Sequence, residues 1–527
     1  MDISQKKKVE SDSPACKQKK LYFLLFLIIS GITAGSLVLY STSLYGPGIT
    51  YESVIYIALA RDTAQGKSII TSRYTDEPPL YPFLTGLFGI DPIRIIPVFH
   101  SAVFFLIILL AGLIALKMTG AGTVSYLAVL TVMTAGPLLH ISVMAWNELL
   151  FILLVLIFLL VLDSYIQRKS LILVFMLSLT AVLGFYAKYA GLTLIISGIL
   201  VICMTPTGKK KKKLHSVFLF FILSTVPAIL WLYRNYQISR AIFGKGYPNS
   251  HSSVDISEQA IKAFFSWFLK EKSMQNWTVY IGLYVLISTL FLMVLIYIAR
   301  LASRRERFVM LRKSGHITAF ILVYLVYTLL AVHGHVYSRI NSRILSPVFI
   351  PLVLLGFYYA GLYKEVFQIY VPRRLACIML ITLTCLVLIP SFLIKLDNTS
   401  QRINHGAGGY STVYWRENQA LKYLQKNPPG EDAVTYSNAP EALYIIAGIK
   451  SRALSVHSDK DPEKALRELQ SSWPSSRYIY LVWIKNNASG NFYSMKELSL
   501  FADIIVFEAF HDGIVYKVRR KPAVIPD

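Results

Sequence analysis

The sequence predicts a polytopic α-helical membrane protein of about 11 transmembrane helices with a small C-terminal α/β domain outside the cytoplasm. Three observations predict it. Hydrophobic residues make up 55% of the 527 positions, with a mean hydropathy of +0.52. Only 16% are charged, whereas a soluble domain carries roughly a quarter. Finally, apolar segments of about 16–23 residues, the length a bilayer demands, alternate with short basic runs.

The elements follow in order. Residues 1–20 form a basic cytoplasmic tail, and the lysine-flanked segment after it reads as a retained anchor because it is longer than a signal-peptide core. Spans are expected near 21–40, 97–116, 122–139, 148–163, 171–187, 189–205, 214–232, 277–299, 315–333, 344–362 and 375–394. Threaded with the N-terminus inside, they leave every substantial basic loop in the cytoplasm: Gln167–Lys169, Lys209–Lys213, Arg300–Lys313 and Tyr370–Arg374. Dropping one early span would put several of these outside. The formal charge of +24 therefore reflects cytoplasmic loops rather than a nucleic-acid partner.

The membrane domain is expected over 21–395, with outward loops at 41–96 and 233–276. Residues 396–527 change character. "DAVTYS", "RYIYLVWI" and "ADIIVFEAF" read as strands, and "YWRENQALKYLQKN" and "NAPEALYIIAG" as helices, which suggests a small α/β domain. Cys16, Cys203, Cys377 and Cys385 show no metal-ligand spacing and read as incidental thiols or small core residues.

The outward turns carry the chemistry. The first loop opens on Glu52 to Gly66, "ESVIYIALARDTAQG", an amphipathic stretch with Glu52 and Tyr56 at i, i+4. Glu148 stands where the chain re-enters the membrane, Lys188 between two apolar stretches, and Arg234 and Arg343 beside later spans. Ionisable groups at such depth point to function. The set divides into carboxylates for proton transfer or metal binding and cations for an anionic head group. Each has a plainer reading: Arg343 and Arg234 as snorkelling anchors, Glu77 and Glu52 as caps; His333 and His335 form an H-x-H pair that can bind metal but has no further assigned ligand.

The ordered motifs "ESVIYIALARDTAQGK", "EPPLYPFLTG", "MAWNELLFILLVL", "YAKYAGL", "LWLYRNY" and "RILSP" resemble the GT-C glycosyltransferases, from about Leu21 to Gly356. These polytopic enzymes use polyprenyl-phosphate sugars and include protein O-mannosyltransferase-like and aminoarabinose-transferase-like branches. "YSNAPEALYIIAG" is also similar to the tails of bacterial members. The resemblance implies a catalytic carboxylate at Glu52, where the family's D-S-x-x-Y-like pattern has Asp, and a second acidic site at Glu148. A basic residue, usually Arg, stands in the family where this chain has Lys188, which lacks the bidentate fork of Arg. Tyr56, Arg61, Lys188, Arg234, Asn235 and Arg343 are the implied substrate-binding residues.

The implied activity is an inverting sugar transfer from a polyprenyl-phosphate donor to an extracytoplasmic glycan, lipid or protein, in the plasma (inner) membrane. No cofactor is required by this reading, and a divalent metal shared by Glu52 and a second-loop carboxylate stays open. A lipid-linked sugar flippase is the rival, but it needs polar residues through the bilayer, and here the span interiors are nearly free of charge. A non-catalytic scaffold presenting the C-terminal domain is the other rival.

Overall fold

Apolar stretches of bilayer length form helices here because a helix satisfies all its own backbone hydrogen bonds in a medium without water. The computed structural model describes residues 14–72, 75, 77–206, 210–240, 253–267, 304–334, 339–367, 378, 381–382, 385, 392–393, 397–430, 432–454, 479–485, 492–500 and 502–520. The expected span near 277–299, most of that near 375–394, the basic segment 370–374 and His335 lie outside them. The chain divides into two units: Met1–Ser43 with Ile55–Ile403, and Leu44–Val54 with Asn404–Asp527.

In the first unit the described helices are α1 (Pro14–Ser41), α2 (Tyr51–Ala64, whose first turn belongs to the second unit), α3 (Leu80–Gly86), α4 (Pro92–Thr119), α5 (Thr123–Thr134), α6 (Gly136–Val143), α7 (Glu148–Arg168), α8 (Leu171–Ala187), α9 (Leu192–Met204), α10 (Lys210–Ser239), α11 (Ser253–Phe265), α12 (Arg304–His333) and α13 (Ser342–Phe367). Among the described residues six helices are long and apolar enough to cross a membrane: Lys17–Ser41, Pro92–Thr119, Glu148–Arg168, Lys210–Ser239, Lys313–His333 and Ser342–Leu362. The protein is a multi-pass membrane protein.

The single span expected near 122–139 is instead a pair, α5 and α6, bent by 47°. Pro137 explains the break: it lacks the N–H that a continuous helix would bond, and it sits comfortably in the first turn of α6. Helices α8 and α9 are shorter apolar helices of 17 and 13 residues, joined by a tight turn at Tyr189–Gly191.

Close packing follows from small residues. Helix α1 lies against α4, and a Cβ added at Gly31 would meet the Phe105 ring while one at Gly112 would meet Leu27. In lipid, where no hydrophobic force draws helices together, such close backbone approach supplies the dispersion contacts. The most enclosed of the six spans is α7, and α4, α8, α12 and α13 pack around it. Its first residue, Glu148, is thereby carried into the interior.

The second unit holds a five-stranded mixed sheet built from β1 (Val434–Ser437), β2 (Arg452–Ala453), β3 (Ile479–Ile484), β4 (Ala502–Ala509) and β5 (Gly513–Arg520), in the order β2-β1-β3-β5-β4. Strands β2, β1 and β3 pair in parallel, and β3-β5-β4 are antiparallel, with an irregularity between Val506 and Glu508. Leu481, Ile479, Leu498 and Ala502 bury one face. Helix α14 (Gln419–Lys426) is capped twice: Asn418 accepts from Leu421 N at 3.0 Å, and Asp512 accepts from Gln419 N at 2.7 Å. Within the same unit Ile49 bridges Gly409, and Ser411 Oγ donates to Pro47 O at 2.5 Å.

Candidate active site

Three sequence-selected residues from three turns meet at one point. Glu148 Oε1 accepts from Lys188 Nζ at 2.7 Å and from Arg343 Nε at 2.7 Å. Each is placed by a helix terminus: Glu148 begins α7, Lys188 follows the last residue of α8, and Arg343 lies in the first turn of α13. The side chains of Glu148, Lys188 and Arg343 are 1%, 10% and 20% exposed, so Arg343 is the member nearest the open side. One carboxylate and two cations thus meet in a buried place. Two cations held at one point in a low-dielectric setting suit an anion.

The residues before Glu148 complete the support. The Arg343 guanidinium lies 4.1 Å from the Trp146 ring centroid, a cation–π contact that holds its plane. Asn147 Nδ2 donates to Ala187 O at 2.7 Å and thereby ties the start of α7 to the end of α8. Glu148 Oε2 and Asn147 Oδ1 are buried with no hydrogen-bond partner among the described residues. Next to them, Trp146 packs edge-on against His140, whose Nδ1 stands 3.3 Å from Arg402 Nη2. Arginine only donates, so His140 must present an unprotonated Nδ1 there.

An aromatic layer lies against this cluster. Tyr56, Tyr81, Leu150, Leu154 and Ala187 form one buried group, with the Tyr56 and Tyr81 rings 5.3 Å apart and edge-on. Tyr56 donates its hydroxyl hydrogen to Glu77. Burial, reinforced by the Glu77 and Glu148 charges, pushes the Tyr56 phenol well above its ordinary value, so it stays protonated. Burial and Glu148 do the same to Tyr81, whose hydroxyl meets His100 Nε2 at 2.9 Å, while His100 Nδ1 reaches Ser142 O at 2.9 Å.

The remaining candidates lie elsewhere. Arg234 faces the segment before α3: its Nε donates to Ile70 O at 2.9 Å, its Nη2 to Ile69 O at 3.2 Å and to Ser72 O, and its Nη1 to Asn235 Oδ1 at 2.9 Å. Asn235 Nδ2 donates to Tyr189 Oη at 2.9 Å and to Thr75 O at 3.2 Å. Arg234 and Asn235 therefore pin Ile69, Ile70, Ser72 and Thr75, and none of these hydrogen bonds reaches Glu148. Arg61 pairs with Asp91 at 3.1 Å near the surface. Glu52 stands in the first turn of α2, partly exposed, on the stretch belonging to the second unit. No group of three or more His, Cys, Asp or Glu side chains able to hold a metal occurs among the described residues.

Sequence reasoning missed Trp146, Asn147, His140 and Arg402. The first two had a signal, adjacency to Glu148 in "MAWNE"; His140 and Arg402 had none, being 262 positions apart.

No protein-family model and no curated protein matches the sequence. Solved structures do resemble it. ArnT from Cupriavidus metallidurans, bound to undecaprenyl phosphate, matches with a TM-score of 0.58 at 12% identity, covering 93% of this chain and 98% of that one. The Archaeoglobus fulgidus oligosaccharyltransferase matches with a TM-score of 0.54 at 12% identity, covering 86% of this chain and 68% of that one. The mycobacterial arabinofuranosyltransferase AftD matches with a TM-score of 0.51 at 14% identity, covering 94% of this chain and 40% of that one. All three are GT-C glycosyltransferases, and the fold described above is theirs.

Proposed function

We propose that this chain is a membrane glycosyltransferase that takes its sugar from a polyprenyl-phosphate donor and passes it, with inversion, to a glycan, lipid or protein acceptor outside the cytoplasm. The observation that carries the reading is the buried convergence of Lys188 and Arg343 on Glu148, set on a fold otherwise known from GT-C enzymes. A donor phosphate suits those two cations, and the apolar spans around them suit a polyprenyl tail.

The reaction follows from that placement. The acceptor's oxygen or nitrogen attacks the sugar's C1, the bond from C1 to the phosphate oxygen breaks, and the electron pair leaves with polyprenyl phosphate. Arg343 and Lys188 stabilise the negative charge that develops on the departing oxygen. Glu148 holds both cations in position rather than serving as the base, because two ion pairs already occupy its one bonded oxygen. We assign the acceptor's proton to Glu52, a carboxylate in the first turn of a helix, where the dipole favours the ionised form.

One experiment with two arms tests the reading. Arg343→Ala is expected to weaken binding of a polyprenyl-phosphate sugar about tenfold or more, the worth of one charge-assisted contact. Glu52→Gln is expected to keep donor binding and lower turnover roughly 10²–10⁴-fold. Donor binding indifferent to Arg343→Ala in a folded protein removes the phosphate site. Near-normal turnover by the Gln variant removes Glu52 as base.

A further inference from the structure

The far end of α7 carries a second polar site, unrelated to the first. Asp163 and Gln167 lie 15 and 19 residues after Glu148, about 22–28 Å along the helix axis. There they line a cavity of about 280 Å³ between α4, α7 and α12, together with Lys117, Lys313 and His316 over an apolar floor that includes Ile114 and Leu159. We propose that this cavity binds a phosphoryl anion, supplied either by the head group of a lipid in the adjacent leaflet or by free phosphate.

Charge decides against a cation. The one carboxylate, Asp163, is already met on Oδ2 by Lys117 Nζ at 3.3 Å and by Gln167 Nε2 at 2.9 Å. Lys313 is the surplus charge, and its ammonium reaches the Met118 carbonyl at 3.3 Å. The lining therefore carries two lysines against one carboxylate, a net +1.

His316 supplies the second, independent observation. It is 4% exposed, lines the cavity, and its Nδ1 is buried with no hydrogen-bond partner among the described residues. A buried polar nitrogen left this way loses its hydration without return, unless a ligand restores the bond. His316 and Lys313 line the cavity from α12 and Lys117 lines it from α4. Donors converging from separate helices match an anion with several oxygens around one centre. The apolar floor continues into the span interiors, where an acyl chain would run. Both α7 and α10 place basic residues at this end, Arg168 and Lys210–Lys213, and a lipid phosphate is drawn to such a surface.

The test uses the full-length protein in neutral detergent, titrated separately with short-chain phosphatidic acid, inorganic phosphate and short-chain diacylglycerol, with bound ligand counted by native mass spectrometry. Phosphatidic acid is expected to bind in one equivalent that Lys313→Ala and His316→Gln each weaken about tenfold or more, while diacylglycerol shows no such equivalent. Inorganic phosphate with the same two-residue dependence, and no gain from the acyl chains, identifies free phosphate as the source and supports the site equally. Anion binding that is the same in the parent and in both variants overturns it. Lys117→Gln, at a half-exposed position where folding is little disturbed, replaces either variant that fails to fold and carries the same expectation.

Discussion

Glu148 offers one oxygen to two cations, and everything else at the site depends on that choice. Its other oxygen is buried without a partner among the described residues, so the carboxylate is held firmly on one side only. Glu148→Gln removes the negative charge that Lys188 and Arg343 share. Breaking a buried pair in this way costs about 3–5 kcal/mol, which should appear as a clearly lowered melting temperature of the detergent-solubilised protein. An unchanged melting temperature would mean that the cations relax away freely. The residues themselves were legible in the sequence, because ionisable side chains at span ends stand out against an apolar background. Their mutual pairing was not, because Glu148 and Arg343 are 195 positions apart and helix periodicity says nothing about contacts at that separation.

At the scale of elements, the segment between α2 and α3 is held by a side chain from α10. Arg234 donates to three backbone carbonyls there, and Asn235 adds a fourth at Thr75. Arg234→Gln should therefore release the segment while leaving α10 intact. Hydrogen exchange should quicken over residues 66–79 and stay as in the parent within α10; equal protection of the segment in both proteins would contradict the anchoring role. The sequence marked Arg234 as ionisable at a boundary and Asn235 beside it. It could not separate a phosphate contact from a loop anchor, since both need the same donors at the same depth. The break at Pro137 was only partly legible: proline removes the N–H that continues a helix, yet Pro97, Pro227, Pro347 and Pro351 stand inside unbroken helices, and hydropathy alone runs straight through Pro137.

At the scale of the whole molecule, we propose from the alternation of apolar spans and basic runs that the basic connections face the cytoplasm and the C-terminal unit faces away. Two single cysteines in a cysteine-free background test this. Lys426→Cys, exposed at the last residue of α14, should react with an impermeant maleimide in intact spheroplasts, and Lys211→Cys, exposed at the start of α10, only after permeabilisation. The reverse pattern would invert the topology. Hydropathy located the six long spans well, because their length and composition are set by the bilayer alone. Its boundaries ran short: α10 extends over Lys210–Ser239 where the apolar core covers 214–232, since lysines at a helix start are tolerated once they reach water.

The shortness of α8 and α9 reaches beyond the protein itself. Their 17 and 13 residues rise only about 26 and 20 Å, against a hydrocarbon thickness of about 30 Å. Neither length matches that thickness, so lipids beside these helices are expected to shorten or thin. Under the proposed function the sugar-bearing phosphate has to reach Lys188 at the end of α8, and hydrophobic mismatch then becomes a control on transfer. Transfer measured in vesicles of graded acyl-chain length should be fastest in thin bilayers and fall as they thicken. A rate independent of thickness would show that the site is sealed off from the lipid.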